Sequence, residues 1–462
     1  MNFASVTFWL ILGAAFIVLS LPRFFVDISN RATYDKYALF LLSLTLLISE
    51  SLLTGFIFLY VAFLTYSSLR WKLCRRNSGL IAITILMISP LFFFKYSGFV
   101  SEETGWWSSA AWYGIIPMGI SFYTFQSIGI VIDLRKQHIE KIPVIRVLNF
   151  LSFFPQIVAG PIERSSDLMP QVERFQFRVR WDRLEAALSW IILGLFFKLV
   201  LADNLAAAMG KLSESGENPA EVGMRVLGLG FRIYFDFSGY SFIALGLARL
   251  LGVNLTLNFR SPYLSVSLQE FWRRWHITLS TWIRDYLYIP MGGSRTKYWP
   301  IVVFGVFVIS GAWHGAGWNF LLWGAIHGIG LVFWRVFSGK IPEGVTGWLL
   351  TQCVVFVAWL PFFATDISSC LESLAVLFDV GSYGGISLAG LIGLFESRGD
   401  FLVYVALIAL SLSVMLLEYL SLRKNGDDDY SLFKGPLIRL AMVFLIVVIG
   451  STSEGEFVYF NF

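Results

Sequence analysis

The chain has 462 residues, of which 56% are hydrophobic and 14% charged, with a formal net charge of +4. Water-soluble domains carry about 25% charged residues, and no soluble core of this length hides so much apolar surface. Soluble, nucleic-acid-binding, disordered and fibrous classes are excluded, and the small net charge gives no reason for a nucleic-acid partner.

The apolar residues form near-continuous runs, not the alternating ten-residue segments of a membrane barrel. The expected fold class is therefore all-α, a polytopic integral membrane protein. The opening MNFASVTFWLILGAAFIVLSL has no basic residue. A cleavable signal peptide needs positive charge there, so this stretch reads as an uncleaved first span. A bilayer crossing needs about 20 residues. Candidate spans follow at 4–21, 37–68 (one long or two short), 79–95, 110–132, 147–160, 184–201, 223–250, 300–316, 318–334, 346–364, 400–421 and 436–450. That is eleven or twelve crossings, some of them re-entrant, in a single domain covering 1–462. No internal repeat is visible.

Charge separates the connecting segments. Segments 70–78, 133–146, 164–183, 260–297, 335–340 and 423–439 hold 25 basic residues. Segments 96–110, 202–221, 366–398 and 451–462 hold two, Lys211 and Arg398. The basic set is expected in the cytoplasm and the other outside. This puts the C-terminus, with Glu454 and Glu456, outside; loop 23–36 stays unplaced. The three cysteines, Cys74, Cys353 and Cys370, have no paired spacing and read as small core residues.

Only four histidines occur, and histidine is the usual general base near neutral pH. His314 lies in SGAWHGAGWNFLLWG, at membrane depth, where an ionisable side chain is costly and a functional candidate. Gly311, Gly315 and Gly317 fit an irregular, broken helix. A histidine hydrogen-bonded between helices, with glycines that serve packing, fits the same residues.

His276 lies in QEFWRRWHITLSTWIRDYLYIPMGG. On one continuous helix, Phe271, Trp272, Trp275, Leu279, Trp282 and Tyr286 share an arc of about 100°. Arg273, Arg274, Arg284 and Asp285 fall opposite, interrupted by Ile277, with His276 between the two sides. That pattern suits a helix at the membrane interface, either an anchor with snorkelling arginines or a vestibule whose arginines attract a phosphate-bearing donor. His327 follows His314 by 13 residues, about 220° around a helix, so one continuous helix would not present both on one face. It reads as a packing histidine or as support for the site. His138, in RKQHIEK, reads as a solvated loop residue. Asp236 and Ser238 in YFDFSGYS, Glu163 in VAGPIER, and Asn319 are the other polar groups in apolar context. For Asp236, flanked by Arg232 and Arg249, a structural ion pair is the better reading. No phosphate loop, nucleophile elbow, H-E-x-x-H or CxxC pattern is present, so a metal site and a serine nucleophile have no support.

The stretches FDFSGYS, NFRSPYLSVSLQEFWRRWHITLSTWIRDYLYIPMGGSR and GAWHGAGWNFLLWGAIHG closely resemble the membrane-bound O-acyltransferase family, in its bacterial alginate O-acetyltransferase branch. FFFKYSGF at 92–99, IPMGISFYTFQ at 116–126, FFPQIVAGPIER at 153–164 and the tail FVYFNF fit as well. The resemblance covers most of the chain; 230–330 is the specific block, and 366–450 matches loosely. It implies a ring of helices around a thinned centre with funnels from both faces. It also implies that His314, in the W-H-G context, is catalytic, and that His276, in R-W-H, is the second recurrent histidine.

The implied activity is O-acetyl transfer from a cytosolic thioester, acetyl-CoA, toward an exopolysaccharide such as alginate or cellulose, at the bacterial inner membrane. Acetyl-CoA is a substrate here, and no bound cofactor is expected. The donor would enter near Arg273, Arg274 and Arg284, beside Asp285 and Trp313. His314 would act as general base, and His276 would orient or relay. Backbone amides near Gly315, or Asn319, would serve the oxyanion. The outside segments are too short to hold a polysaccharide, so periplasmic or membrane-anchored acetylation partner proteins are expected, alongside membrane lipids. Peptidoglycan O-acetylation and teichoic-acid D-alanylation are alternatives within the class. A glycan or lipid transporter is the alternative outside it, as is a scaffold that only assembles an acetylation complex.

Overall fold

The structure, a computed structural model, describes residues 3, 5–25, 27–105, 116–137, 142–157, 160–177, 180–213, 218–341, 344–426, 430–451 and 457. Among these, the chain is built from helices, with one isolated antiparallel bridge, Leu212–Phe395. Among the described residues, six helices are long and apolar enough to cross a membrane: Leu52–Arg70, Asn77–Thr104, Arg183–Met209, Trp318–Val336, Val345–Phe363 and Arg398–Asn425. Five shorter apolar helices accompany them: Val6–Ser20, Ile120–Asp133, Trp299–His314, Ile367–Phe378 and Pro436–Ile449.

Several expected spans take another form. The 37–68 run divides into Arg31–Glu50 and Leu52–Arg70. Ser51 is extended and its hydroxyl accepts the Thr54 N–H at 3.0 Å, capping the second helix. The 79–95 span continues into the expected 96–110 loop as far as Thr104, where Gly105 at φ +71° ends it. The 147–160 run becomes Val144–Ser152 and Phe154–Ile157, each far too short to cross. Cys74 and Cys370 are buried as small core residues, whereas Cys353 is exposed.

Tertiary contacts divide the chain into two compact units: Met1–Ile191 with Tyr240–Leu257, and Ile192–Gly239 with Asn258–Phe462. The 230–330 block thus contributes to both. In the first unit, polar groups tie loops to helices. Fully buried Asp35 pairs with Arg23 at 2.8 Å and accepts the Phe177 N–H at 3.3 Å. Arg23 and Asp35, of the loop left unplaced by charge, thus meet Phe177 of the basic 164–183 segment. Gln171 exchanges two hydrogen bonds with the Asn254 backbone, at 2.8 and 2.9 Å.

In the second unit, residues 196–202 form a π-helical stretch. It carries buried Lys198, which donates to Asp203 at 2.7 Å and Asp236 at 2.8 Å. The structural ion pair expected at Asp236 is present, with its partner in the preceding span. Removing one member of such a buried set typically costs about 3–5 kcal/mol, because the others are left uncompensated.

Trp299–His314 and Trp318–Val336 pack as a close hairpin. A Cβ on Gly311 would lie 2.2 Å from the Phe320 carbonyl oxygen, and one on Gly324 would lie 2.3 Å from that of Phe307. Only glycine permits this approach.

Candidate active site

The site belongs to the second unit and begins with two interruptions of helix. The first replaces the single continuous helix on which Phe271 to Tyr286 were expected to share one arc. Helix Leu268–Arg274 starts on Ser267, whose hydroxyl accepts the Glu270 N–H, and it ends at extended Trp275. His276 follows with φ +40° and ψ +55°, and a second short helix runs Ile277–Ile283. A non-glycine residue held in the left-handed region costs about 1–3 kcal/mol and persists only where its surroundings over-determine it. Here they do. Buried Asn258 accepts the Ile277 N–H on its carbonyl at 2.9 Å, and its side-chain oxygen accepts the Thr278 N–H and hydroxyl at 3.3 and 2.9 Å. Of the expected arc, Phe271, Trp275, Leu279 and Trp282 are buried, whereas Trp272 and Tyr286 are half-buried.

The second interruption is at 315–317. Helix Trp299–His314 stops at extended Gly315, and the chain turns into Trp318–Val336. His314 is therefore the last residue of one helix and faces the next. Its ring lies 4.8 Å from Trp323, 5.3 Å from Phe362 and 4.7 Å from Trp313. Trp313 in turn lies 6.4 Å from His276. Trp323 also lies 4.9 Å from His327, so after the chain reversal one tryptophan ring contacts both histidines. His327 is fully buried among Trp272, Phe271 and Phe307. Its ring nitrogens have no hydrogen-bond partner among the described residues, which fits a packing role. An aromatic row thus links three of the four histidines. His138 lies outside the described residues, as do Glu454 and Glu456 of the C-terminal segment.

His276 is faced by Phe237 at 4.7 Å, by Phe259 and Trp313, and its Nδ1 lies 3.1 Å from the Asn258 oxygen. Burial pushes its pKa down to about 3, so the ring is neutral.

A cavity of about 360 Å³ opens beside this row. Arg273, Arg284 and Arg335 line it together with Trp272, Trp299, Tyr288 and Ser310. Ser310 lies one helical turn before His314. Arg335 stacks over Trp299, with its guanidinium carbon 4.1 Å from the ring centre. Aromatic and aliphatic walls with guanidinium groups suit a ligand that is part apolar and part phosphate.

The remaining candidates have other engagements. Arg274 donates to Glu270 at 2.9 Å and to the Arg260 carbonyl at 3.1 Å. Asp285 accepts from Arg284 at 2.7 Å, both of them partly exposed. Asn319 spends its amide N–H groups on the Pro361 and Ala364 carbonyls, at 3.1 and 2.9 Å, and thereby ties the hairpin to the end of Val345–Phe363. Arg335 and Asn258 were not singled out by sequence. Arg335 counted only as a topology charge, and Asn258 is 18 residues from its histidine with no pattern joining them. Glu163, in the first unit, is bound by the Thr256 N–H and hydroxyl at 2.5 and 3.1 Å.

Residues 131–371 match the model of the membrane-bound O-acyltransferase family. The chain is 33% identical to a peptidoglycan O-acetyltransferase of Helicobacter pylori over 436 residues, which is 82% of this chain and 81% of that one. It is also 33% identical to a probable alginate O-acetylase AlgI of Pseudomonas aeruginosa, over 66% of this chain and 61% of that one. A teichoic acid D-alanyltransferase of Bacillus subtilis is 26% identical over 73% of this chain and 88% of that one. With the match spanning both histidine motifs, the chain belongs to the membrane-bound O-acyltransferase family and is an acyltransferase.

Proposed function

We propose that this enzyme moves an acetyl group from acetyl-CoA at its basic face to a hydroxyl destined for an extracytoplasmic glycan. The observation that carries this reading is the arginine-lined cavity, whose lining includes Ser310 on the helix that ends at His314, together with the Trp313 ring that His314 and His276 both contact. Arg273, Arg284 and Arg335 would hold the donor phosphates, and the aromatic wall would hold the pantetheine arm.

His314 accepts the proton of the attacking hydroxyl as its oxygen bonds to the thioester carbonyl carbon. The C–S bond then breaks, and the leaving thiolate takes the proton back from the imidazolium. His276 stands across Trp313, placed to orient an acceptor or relay a proton. Asn319 is a weak candidate for the oxyanion, since its N–H groups are already engaged; backbone amides near Gly315 remain.

The basic face is taken as cytoplasmic and the other as exoplasmic, at the bacterial inner membrane. Two loops of the charge-poor set support one common side: Ser213 N–H bonds the Leu394 carbonyl at 2.8 Å, and Lys211 pairs with Glu396 at 2.8 Å. Of these charge-poor segments, 366–398 forms short helices and turns, so delivery to a polymer falls to a separate acetylation partner in the periplasm or anchored to the membrane.

Alginate-like exopolysaccharide is one acceptor polymer. Peptidoglycan is a second reading, favoured by the similarity to the Helicobacter enzyme over 82% of the chain. The test is His314→Ala in cells and as purified protein. Acetylation should fall by about 10²–10⁴-fold at normal protein level. Retained acetylation would overturn the assignment and favour a carrier or scaffold.

A further inference from the structure

We infer that Asn258 is a positioning residue that fixes the proton of His276 on Nδ1 and so makes Nε2 its basic nitrogen; this deepens the acetyl-transfer reading and rests on it. The inference follows from what each atom can do. The Asn258 side-chain atom that meets the Thr278 backbone N–H, at 3.3 Å, must be an acceptor, because a peptide N–H only donates. It is therefore the amide oxygen and not the NH2 group. The Thr278 hydroxyl, at 2.9 Å, also donates to it. An amide oxygen carries no hydrogen, so His276 Nδ1, at 3.1 Å from the same atom, must supply one. A neutral imidazole has a single N–H, and the lone pair then resides on Nε2.

The fixing atom is itself held firmly. Asn258 is fully buried, and its own carbonyl accepts the Ile277 N–H at 2.9 Å. Three residues on, the Tyr430 hydroxyl accepts the Ser261 N–H at 3.2 Å, and it contacts the Phe259 carbonyl at 3.3 Å. Tyr430 rests against the Tyr234 hydroxyl at 3.3 Å, and Tyr234 donates to buried Glu418. One asparagine thus sets the left-handed turn at His276 and the tautomer of its ring.

The rings around His276 carry no charge. The ionisable groups next to them in sequence are Asp236, bound by Lys198, Arg260, whose backbone bonds Arg274, and His314. On the preceding helix, Glu270 and Arg274 pair with each other.

The test uses the full-length enzyme in nanodiscs, with acetyl-CoA as probe and thiol release as readout. Asn258→Ala should lower kcat by 10- to 100-fold while leaving KM for acetyl-CoA within about twofold. Asn258→Asp keeps the acceptor and adds a negative charge that favours the imidazolium. It should therefore retain more activity than the alanine variant and move the acidic limb of the pH–rate profile upward. A residue that only caps helix Ile277–Ile283 would lower protein level and leave kcat per molecule and the pH profile unchanged; that result overturns the inference.

If Asn258→Ala does not accumulate, the pH profile of Asn258→Asp and 15N NMR of histidine-labelled wild type decide the matter. The His276 signal, assigned by difference from His276→Ala, should show protonated Nδ1. A neutral ring protonated on Nε2 refutes the proposal. His314→Ala and His276→Ala separate the two levels. If both stay active, the acetyl-transfer reading fails. If both lose activity while the Asn258 variants match wild type, only the Asn258 inference fails.

Discussion

Glu163 holds its carboxyl in a buried pocket where Thr256 answers it, and burial pushes its pKa up to about 7 from an ordinary 4.5. A carboxyl whose folded pKa is raised favours the folded state when protonated. Its contribution is fully present below pH 4.5 and is lost as pH rises through about 7. The melting temperature of the purified protein should therefore fall across that window, and Glu163→Gln, which cannot ionise, should flatten the dependence. A variant as pH-sensitive as wild type would show that another group titrates there. At this scale the sequence exposed the polar residues in apolar runs but not their partners. Asp236 sat between two arginines in sequence yet is bound by Lys198, because helical packing and not chain order decides which charge is near.

Helices are shaped by where they stop. The hairpin of Trp299–His314 and Trp318–Val336 depends on glycines that let backbones touch, whereas Gly305 on the same first helix meets nothing within 4 Å. Gly311→Ala should lower the melting temperature in detergent, since its Cβ would meet the Phe320 carbonyl and force the helices apart; overpacking of this kind costs about 1–3 kcal/mol. Gly305→Ala should be neutral. Equal melting of both variants would show that the contact is dispensable. Glycine-rich breaks were legible at 315–317. The break at 275–276 was not, since WRRWHIT contains no glycine or proline and its helical periodicity is sound. The turn there is imposed by Asn258, a residue 18 positions upstream.

For the molecule as a whole, the charge bias predicts which face is cytoplasmic. In a background lacking Cys74, Cys353 and Cys370, a membrane-impermeant maleimide on intact cells should label a cysteine at Ser382, in the charge-poor 366–398 segment, and should spare one at Lys297, in the basic set. The reverse pattern inverts the topology and moves the arginine-lined cavity to the outside, where no acetyl-CoA is available.

Membrane residence and the all-helical class were determined by sequence alone, and the two histidine motifs were read there through their resemblance to a known family. The physical reason is that they depend on composition, on apolar run length against bilayer thickness, and on short local patterns, none of which requires knowing what folds beside what. The tertiary structure alone decided that His276, Trp313, His314, Trp323 and His327 form one aromatic row. It also decided that Arg335 joins Arg273 and Arg284, and that Asn258 governs His276. Those meetings arise where the chain reverses at 315–317 and breaks at 276, and the direction a chain takes after a break is chosen by distant packing partners.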